Sequence, residues 1–177
     1  VGLAQLLIAP RKGYVAGGVK PAAGAVAAKR DDVGPGEMLR TGQFYLLWFM
    51  YACGAGAGLM VISKLAVISK EQVQIDLGFV FVAALAVGNG AGRIVAGMLS
   101  DKLGRQRTML GCFIFQAVLV LLLSTAKPGS PVANVAAMAL ISALIGANYG
   151  ANLALFPSIT KDYYGLKNFG VNYGLVF

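Results

Sequence analysis

One arginine lies within a long apolar run of this chain. Arg93 follows Asn89 by one helical turn, and both fall inside the largely apolar sequence 75–99. A charged side chain in hydrocarbon costs about 2.5–3.5 kcal/mol even on the most lenient scale, so it usually serves a partner or a polar cavity. Gly90 and Gly97 share this face, which favours a cavity over a side chain that snorkels to the headgroups. A guanidinium in a cavity would bind an anion, above all a carboxylate held by two hydrogen bonds.

Polar and aromatic side chains in the other apolar runs could line the same cavity. For the asparagines, the alternative is hydrogen bonding between helices, worth about 0.6 kcal/mol per site. For the aromatic residues, the alternative is anchoring at the membrane interface. Both alternatives stay open at this stage. The candidate substrate-binding residues are Arg93, Asn89, Asn148, Tyr149, Asn152, Trp48 and Tyr51.

These residues must be positioned by membrane-spanning helices. The chain has 177 residues, of which 58% are apolar and 12% charged, whereas soluble domains have about 45–50% and 25%. A bilayer core of about 30 Å needs roughly 20 apolar residues per helix. We therefore predict an all-α membrane protein with four complete spans and two partial ones. The complete spans are 42–63, 75–99, 109–126 and 132–156, the partial ones are 1–9 and 169–177, and 10–41 is a linker between two halves of a larger protein.

The distribution of basic residues predicts the orientation. They number six, three and two in the sequences 10–40, 100–108 and 157–168, but only two and one in 64–76 and 127–131. The positive-inside rule then places 10–41, 100–108 and 157–168 in the cytoplasm, most simply beneath a plasma or inner membrane. Because the net charge of +8 lies between apolar runs and not on one face, we expect no nucleic-acid partner.

The composition disfavours an enzyme. The chain has no histidine, so the commonest metal ligand and general base is missing. The run from Gly54 to Gly58, Gly-Ala-Gly-Ala-Gly, lacks the preceding strand of a dinucleotide-binding loop, and close helix packing explains it better. Cys53 and Cys112 lie in apolar runs and are expected to be buried free thiols. We predict no catalytic residue, no metal and no cofactor.

A second motif lies between the spans 75–99 and 109–126. It combines glycines with acidic and basic residues, in the order Gly97, Asp101, Lys102, Gly104, Arg105 and Arg107. The pattern Gly-x-x-x-Asp-Lys-x-Gly-Arg-x-Arg resembles the loop signature of the major facilitator superfamily of transporters. An ordinary charged loop is the alternative. As a signature, it predicts a conformational latch in which Asp101 pairs with a basic residue or a helix N-terminus of the other half.

Two further stretches narrow the resemblance. QLLIAPRKGY near the start and NYGANLALFPSITKDYYGLKNFGVNYGLVF at the end are similar to the oxalate:formate antiporter family within that superfamily. The resemblance implies twelve helices in two halves around a cavity, with this chain running from the end of the sixth helix to the start of the eleventh. It implies a missing N-terminal half, a lipid bilayer and a small carboxylate substrate as partners, and exchange by alternating access.

Within that resemblance, Arg93 matches the cavity arginine of the eighth helix. The family's second cavity cation, a lysine of the eleventh helix, would lie beyond Phe177. Transport of another monocarboxylate, or a sensor that transports nothing, is the alternative function.

Overall fold

The computed structural model describes residues 32–177, so the predicted helix end 1–9 and most of the predicted linker lie outside the described residues. Within this range every regular element is helical, as expected for an all-α membrane protein. A turn of π-helix, Ile68–Gln72, continues the second helix. The α-helices are α1 (Pro35–Met38), α2 (Gly42–Val67), α3 (Gly78–Leu103), α4 (Arg105–Ser124), α5 (Val135–Tyr164) and α6 (Phe169–Val176).

Four of these helices are long and apolar enough to cross a membrane. Counted with its π-turn to Glu71, α2 spans 30 residues, and α3, α4 and α5 span 26, 20 and 30 residues. The helices exceed the apolar runs at several ends because hydropathy reports only the part inside hydrocarbon. A helix continues beyond that boundary as long as its backbone hydrogen bonds do.

One difference from the sequence prediction concerns the charged loop 100–108. Helix α3 continues to Leu103 and α4 begins at Arg105, so only Gly104 separates them. Gly104 adopts a φ of +90°, a conformation that glycine reaches without a steric penalty. The charged residues on either side of Gly104 are therefore helical.

Helix α5 is the centre of the packing. It contacts α2, α3, α4 and α6, and it is the most buried of the four long helices. The outer faces of the other helices are apolar yet exposed, with Met60, Phe79 and Val87 among the most accessible side chains. An apolar exterior around a tightly packed interior is the arrangement that a lipid solvent requires.

Glycines make the crossing of α3 and α5 unusually close. A Cβ atom added to Gly88 or Gly92 of α3 would overlap a backbone carbonyl of α5, and one added to Gly146 or Gly150 would overlap a carbonyl of α3. Each pair is spaced by four residues, so the two backbones meet over a full turn on both helices. This crossing fixes the height and rotation of α3 relative to α5, and with them the direction of Arg93.

Candidate functional site

Arg93 lies on the exposed side of α3, beside the crossing with α5. Its Nε donates a hydrogen bond of 3.3 Å to Oδ1 of Asn89. Asn89 is held in turn by the crossing, because its backbone carbonyl and its Oδ1 both lie against Gly150. Within residues 32–177, no carboxylate forms an ion pair with Arg93. Among the described residues, the bond to Asn89 is the one side-chain hydrogen bond of the exposed guanidinium.

A tyrosine cluster lies where α2, α5 and α6 meet. Tyr51 is buried, packs edge-on against Phe156 at a centroid distance of 4.7 Å, and belongs to the buried cluster against which Tyr149 and Tyr173 pack. The ring of Tyr149 lies over Gly58, where an added Cβ would be 2.6 Å from Cδ2. The structure thus brings together two of the predicted site residues, Tyr51 and Tyr149, and adds a third tyrosine from α6.

The remaining predicted site residues have different surroundings. Asn148 is buried and its Nδ2 donates a 2.6 Å hydrogen bond to Oε1 of Gln116 on α4. Asn152 is buried beside Gly54 of α2, and its Oδ1 has no hydrogen-bond partner in the described residues. Trp48 is half exposed on α2. For Asn148, the hydrogen bond between helices is the interpretation that fits its contacts.

An ion-pair network lies at the junction of α3 and α4. Arg105 bonds to Asp101 at 3.0 Å and to Asp162 of α5 at 3.2 Å. Its Nη1 also donates to Oγ of Ser100 at 2.7 Å, and Gln106 donates to the hydroxyl of Tyr163 at 2.7 Å. The network ties the junction to the end of α5 and leaves the Asp101 side chain 69% exposed.

The other residues of the charged motif point elsewhere. Lys102 and Arg107 are exposed, and neither forms an ion pair within the part of the chain that the structure describes. Gly97 faces open space, with no atom within 4 Å of an added Cβ. Among residues 32–177 the motif therefore splits into an ion-paired core, Asp101 and Arg105, and two cations that form no ion pair.

The residues just before α1 are hydrogen-bonded to the turn between α5 and α6 and to α6. Oδ1 of Asp32 accepts hydrogen bonds of 3.1 Å from the backbone N–H groups of Leu166 and Lys167. The carbonyl of Val33 accepts one of 3.0 Å from Nδ2 of Asn172. The last residues of the predicted linker are thus part of the helical unit.

Some of these features were absent from the sequence interpretation. Asp162 gave no local signal, because its partner Arg105 is 57 residues away. Gln116 is the one strongly polar residue of the run 109–126, but that did not predict its partner Asn148, 32 residues away. The paired glycines at 88 and 92 and at 146 and 150 did carry one, since four-residue spacing of small residues is typical of close helix crossings. Among the described residues, no group of three potential metal-ligating side chains occurs.

Comparisons with known proteins agree with this architecture. A family model described as Major Facilitator Superfamily matches residues 4–177. The chain is 29% identical over 143 residues to the uncharacterized MFS-type transporter YhjX of Escherichia coli K12. It is 33% identical over 145 residues to the oxalate:formate antiporter of Oxalobacter formigenes. These matches cover 80% and 81% of the chain but 34% of each relative, so the chain spans about a third of the length of the curated relatives it matches.

Proposed function

The chain belongs to the Major Facilitator Superfamily, and on that premise we propose that it is part of a secondary active transporter for small carboxylate anions. The full-length protein would carry its substrate by alternating access between two helical halves. The multi-pass membrane character follows from the family and from the four membrane-length helices. The site residues support the proposal that the substrate is an anion.

Arg93 carries the proposal. Its guanidinium is attached to a membrane-length helix, is oriented by Asn89, and has no acidic partner among residues 32–177. A cation in that position costs several kcal/mol in hydrocarbon unless an anion or a water-filled cavity compensates it. A small carboxylate matches the planar fork of the guanidinium with two parallel hydrogen bonds. One relative is named an oxalate:formate antiporter, and this name supports a small carboxylate as the substrate class.

The tyrosine cluster would supply the walls of the site. Tyr51 and Tyr149, with Trp48 nearby on α2, offer aromatic surface, and the side-chain NH2 of Asn152 offers a hydrogen-bond donor to an anion. An apolar wall with few polar groups is typical of small-ligand sites, because it strengthens the electrostatic attraction to the cation. We leave Asn148 out of the proposed site because its side chain is occupied by Gln116.

The charged junction would act as the latch, with the linker, the junction and the α5–α6 turn on the cytoplasmic side. Asp101 is exposed enough to accept a second partner from the other half while it stays bonded to Arg105. An ion pair that forms in only one of two domain arrangements biases the equilibrium between them.

Uptake of labelled oxalate, formate and lactate into proteoliposomes tests the proposal. The full-length protein would be compared with Arg93→Gln, and with Lys127→Gln as a control in the turn between α4 and α5. We expect at least one of the three anions to enter with the wild type and the control, and uptake to fall by about 100-fold or more with Arg93→Gln, since charged hydrogen bonds to a buried anion are worth about 3 kcal/mol.

The outcomes separate the alternatives. Uptake that is equal in Arg93→Gln and the wild type would contradict the role of Arg93. Uptake of lactate alone would indicate another monocarboxylate as substrate. A full-length protein that binds one of these anions but never moves it would be a sensor on a transporter fold.

A further inference from the structure

An apolar groove runs along a side of α3 adjacent to the one that carries Arg93. At about 100° per residue, its lining residues on α3 lie between roughly 60° from Arg93 (Ala96) and roughly 200° from it (Ala91 and Val95). The groove lies between α3, α4 and α5 and has a cavity volume of about 550 Å³. Its walls are almost wholly apolar and include Val95, Leu99, Leu103, Phe115, Leu144 and Ala151.

Arg107 lies at one end of this groove. It is exposed in the first turn of α4, and within residues 32–177 it forms no ion pair. A cation at this position is unfavourable for the helix itself, because the N-terminus of a helix already carries partial positive charge. Arg107 and the free N–H groups of that turn together make the end of the groove attractive to a phosphate.

The dimensions of the groove fit one lipid chain. From Leu103 to Ala91 the lining follows α3 for twelve residues, or about 18 Å at 1.5 Å per residue. One leaflet of a bilayer core of about 30 Å is roughly 15 Å thick.

We propose that this groove binds one anionic phospholipid, with an acyl chain between α3, α4 and α5 and the headgroup phosphate on Arg107. The site is distinct from the substrate site, and it rests on the proposed orientation, in which Arg107 faces the cytoplasmic leaflet. Anionic lipids give that leaflet its negative surface potential, and basic pockets between helices there are suited to their headgroups. A lipid held in this groove would bridge the three helices that carry the charged junction.

Native mass spectrometry of the full-length protein in mixed phosphatidylglycerol and phosphatidylcholine tests the proposal. We expect the wild type to retain phosphatidylglycerol in preference to phosphatidylcholine. Arg107→Gln should lower the retained fraction about fivefold, the effect of one basic residue near a lipid surface, and Arg107→Lys should preserve it. Gly111→Leu should lower it as well, because the space beside Gly111 is open and a leucine there fills the groove.

Two exposed positions outside the groove provide controls. Lys102→Gln removes a neighbouring cation, and Ala117→Leu enlarges a residue of α4 that faces away from the groove. Both should retain phosphatidylglycerol like the wild type. Equal retention of the two lipids, unchanged retention in Arg107→Gln and Gly111→Leu, or equal loss in the controls would each overturn the proposal. Because lipid retention is measured directly, a failure to observe carboxylate uptake would not affect this result.

Discussion

From the close crossing of α3 and α5 we predict that Gly150→Ala lowers both the stability of the protein and its transport rate. An added Cβ would overlap the backbone carbonyl oxygen of Asn89 and lie 2.9 Å from its carbonyl carbon and its Oδ1, whereas ordinary van der Waals contact begins at 3.4 Å. The obstacle is mostly backbone, so no side-chain rotation relieves it. The helices must separate, and Asn89 must move.

The expected loss of stability follows from two opposing contributions. Overpacking costs up to about 3 kcal/mol when the neighbours cannot yield. Replacing glycine by alanine inside a helix recovers about 1 kcal/mol. We therefore expect a net loss of about 2 kcal/mol, which should lower Tm by a few degrees.

The same displacement should weaken transport. Asn89 orients Arg93 through the 3.3 Å hydrogen bond, so a shift of Asn89 redirects the guanidinium. The assay is thermal unfolding of the full-length protein, followed by intrinsic fluorescence, together with labelled carboxylate uptake at a temperature where the variant is folded. Gly56→Ala on α2, where an added Cβ meets no atom within 4 Å, is the control and should unfold no earlier than the wild type. If Gly150→Ala unfolds at the same temperature as Gly56→Ala, the backbones of α3 and α5 do not approach closely enough to exclude a Cβ atom.

Two further predictions concern the polar contacts of α5. Arg105→Gln removes ion pairs from Asp101 and Asp162; because these groups are partly exposed, Tm should fall only slightly, by the equivalent of about 1 kcal/mol or less. The rate of uptake should fall much further if the junction is a latch, and an unchanged rate would contradict that role. Asn148→Leu leaves Gln116 buried without its partner and should cost about 1–3 kcal/mol of stability, whereas Asn148→Leu combined with Gln116→Leu should recover most of it. Normal unfolding but no uptake in the double variant would show that Asn148 belongs to the substrate site after all.

Much of the fold was predictable because a bilayer imposes simple rules. Apolar runs of about 20 residues have few structures available other than a helix that satisfies its own backbone. The four long helices were therefore expected, and the structure contains them. The helix ends were not predictable to the same degree, since the charged sequence after Leu99 marks the end of hydrocarbon and not the end of α3.

The candidate site was only partly predictable for a different reason. Arg93 and Asn89 are one helical turn apart, so local spacing sufficed to predict that they lie together. Asn148 and Asn152 are also one turn apart on α5, but the first faces Gln116 of α4 and the second Gly54 of α2. Their different surroundings depend on how α5 is rotated among its neighbours, which no local pattern encodes.

Because a single residue separates α3 from α4, the charged side chains at this junction have defined directions. Charged side chains in a long loop would sample many directions. On the last turn of one helix and the first turn of the next, their directions are set by the helix backbone. Asp101 and Arg105 are paired with each other, Arg105 is also paired with Asp162 of α5, and Arg107 lies at the groove. The order of residues around Gly104 thus determines the direction of each charged side chain. Inserting or deleting one residue would keep every charge and misdirect all of those beyond it by about 100°.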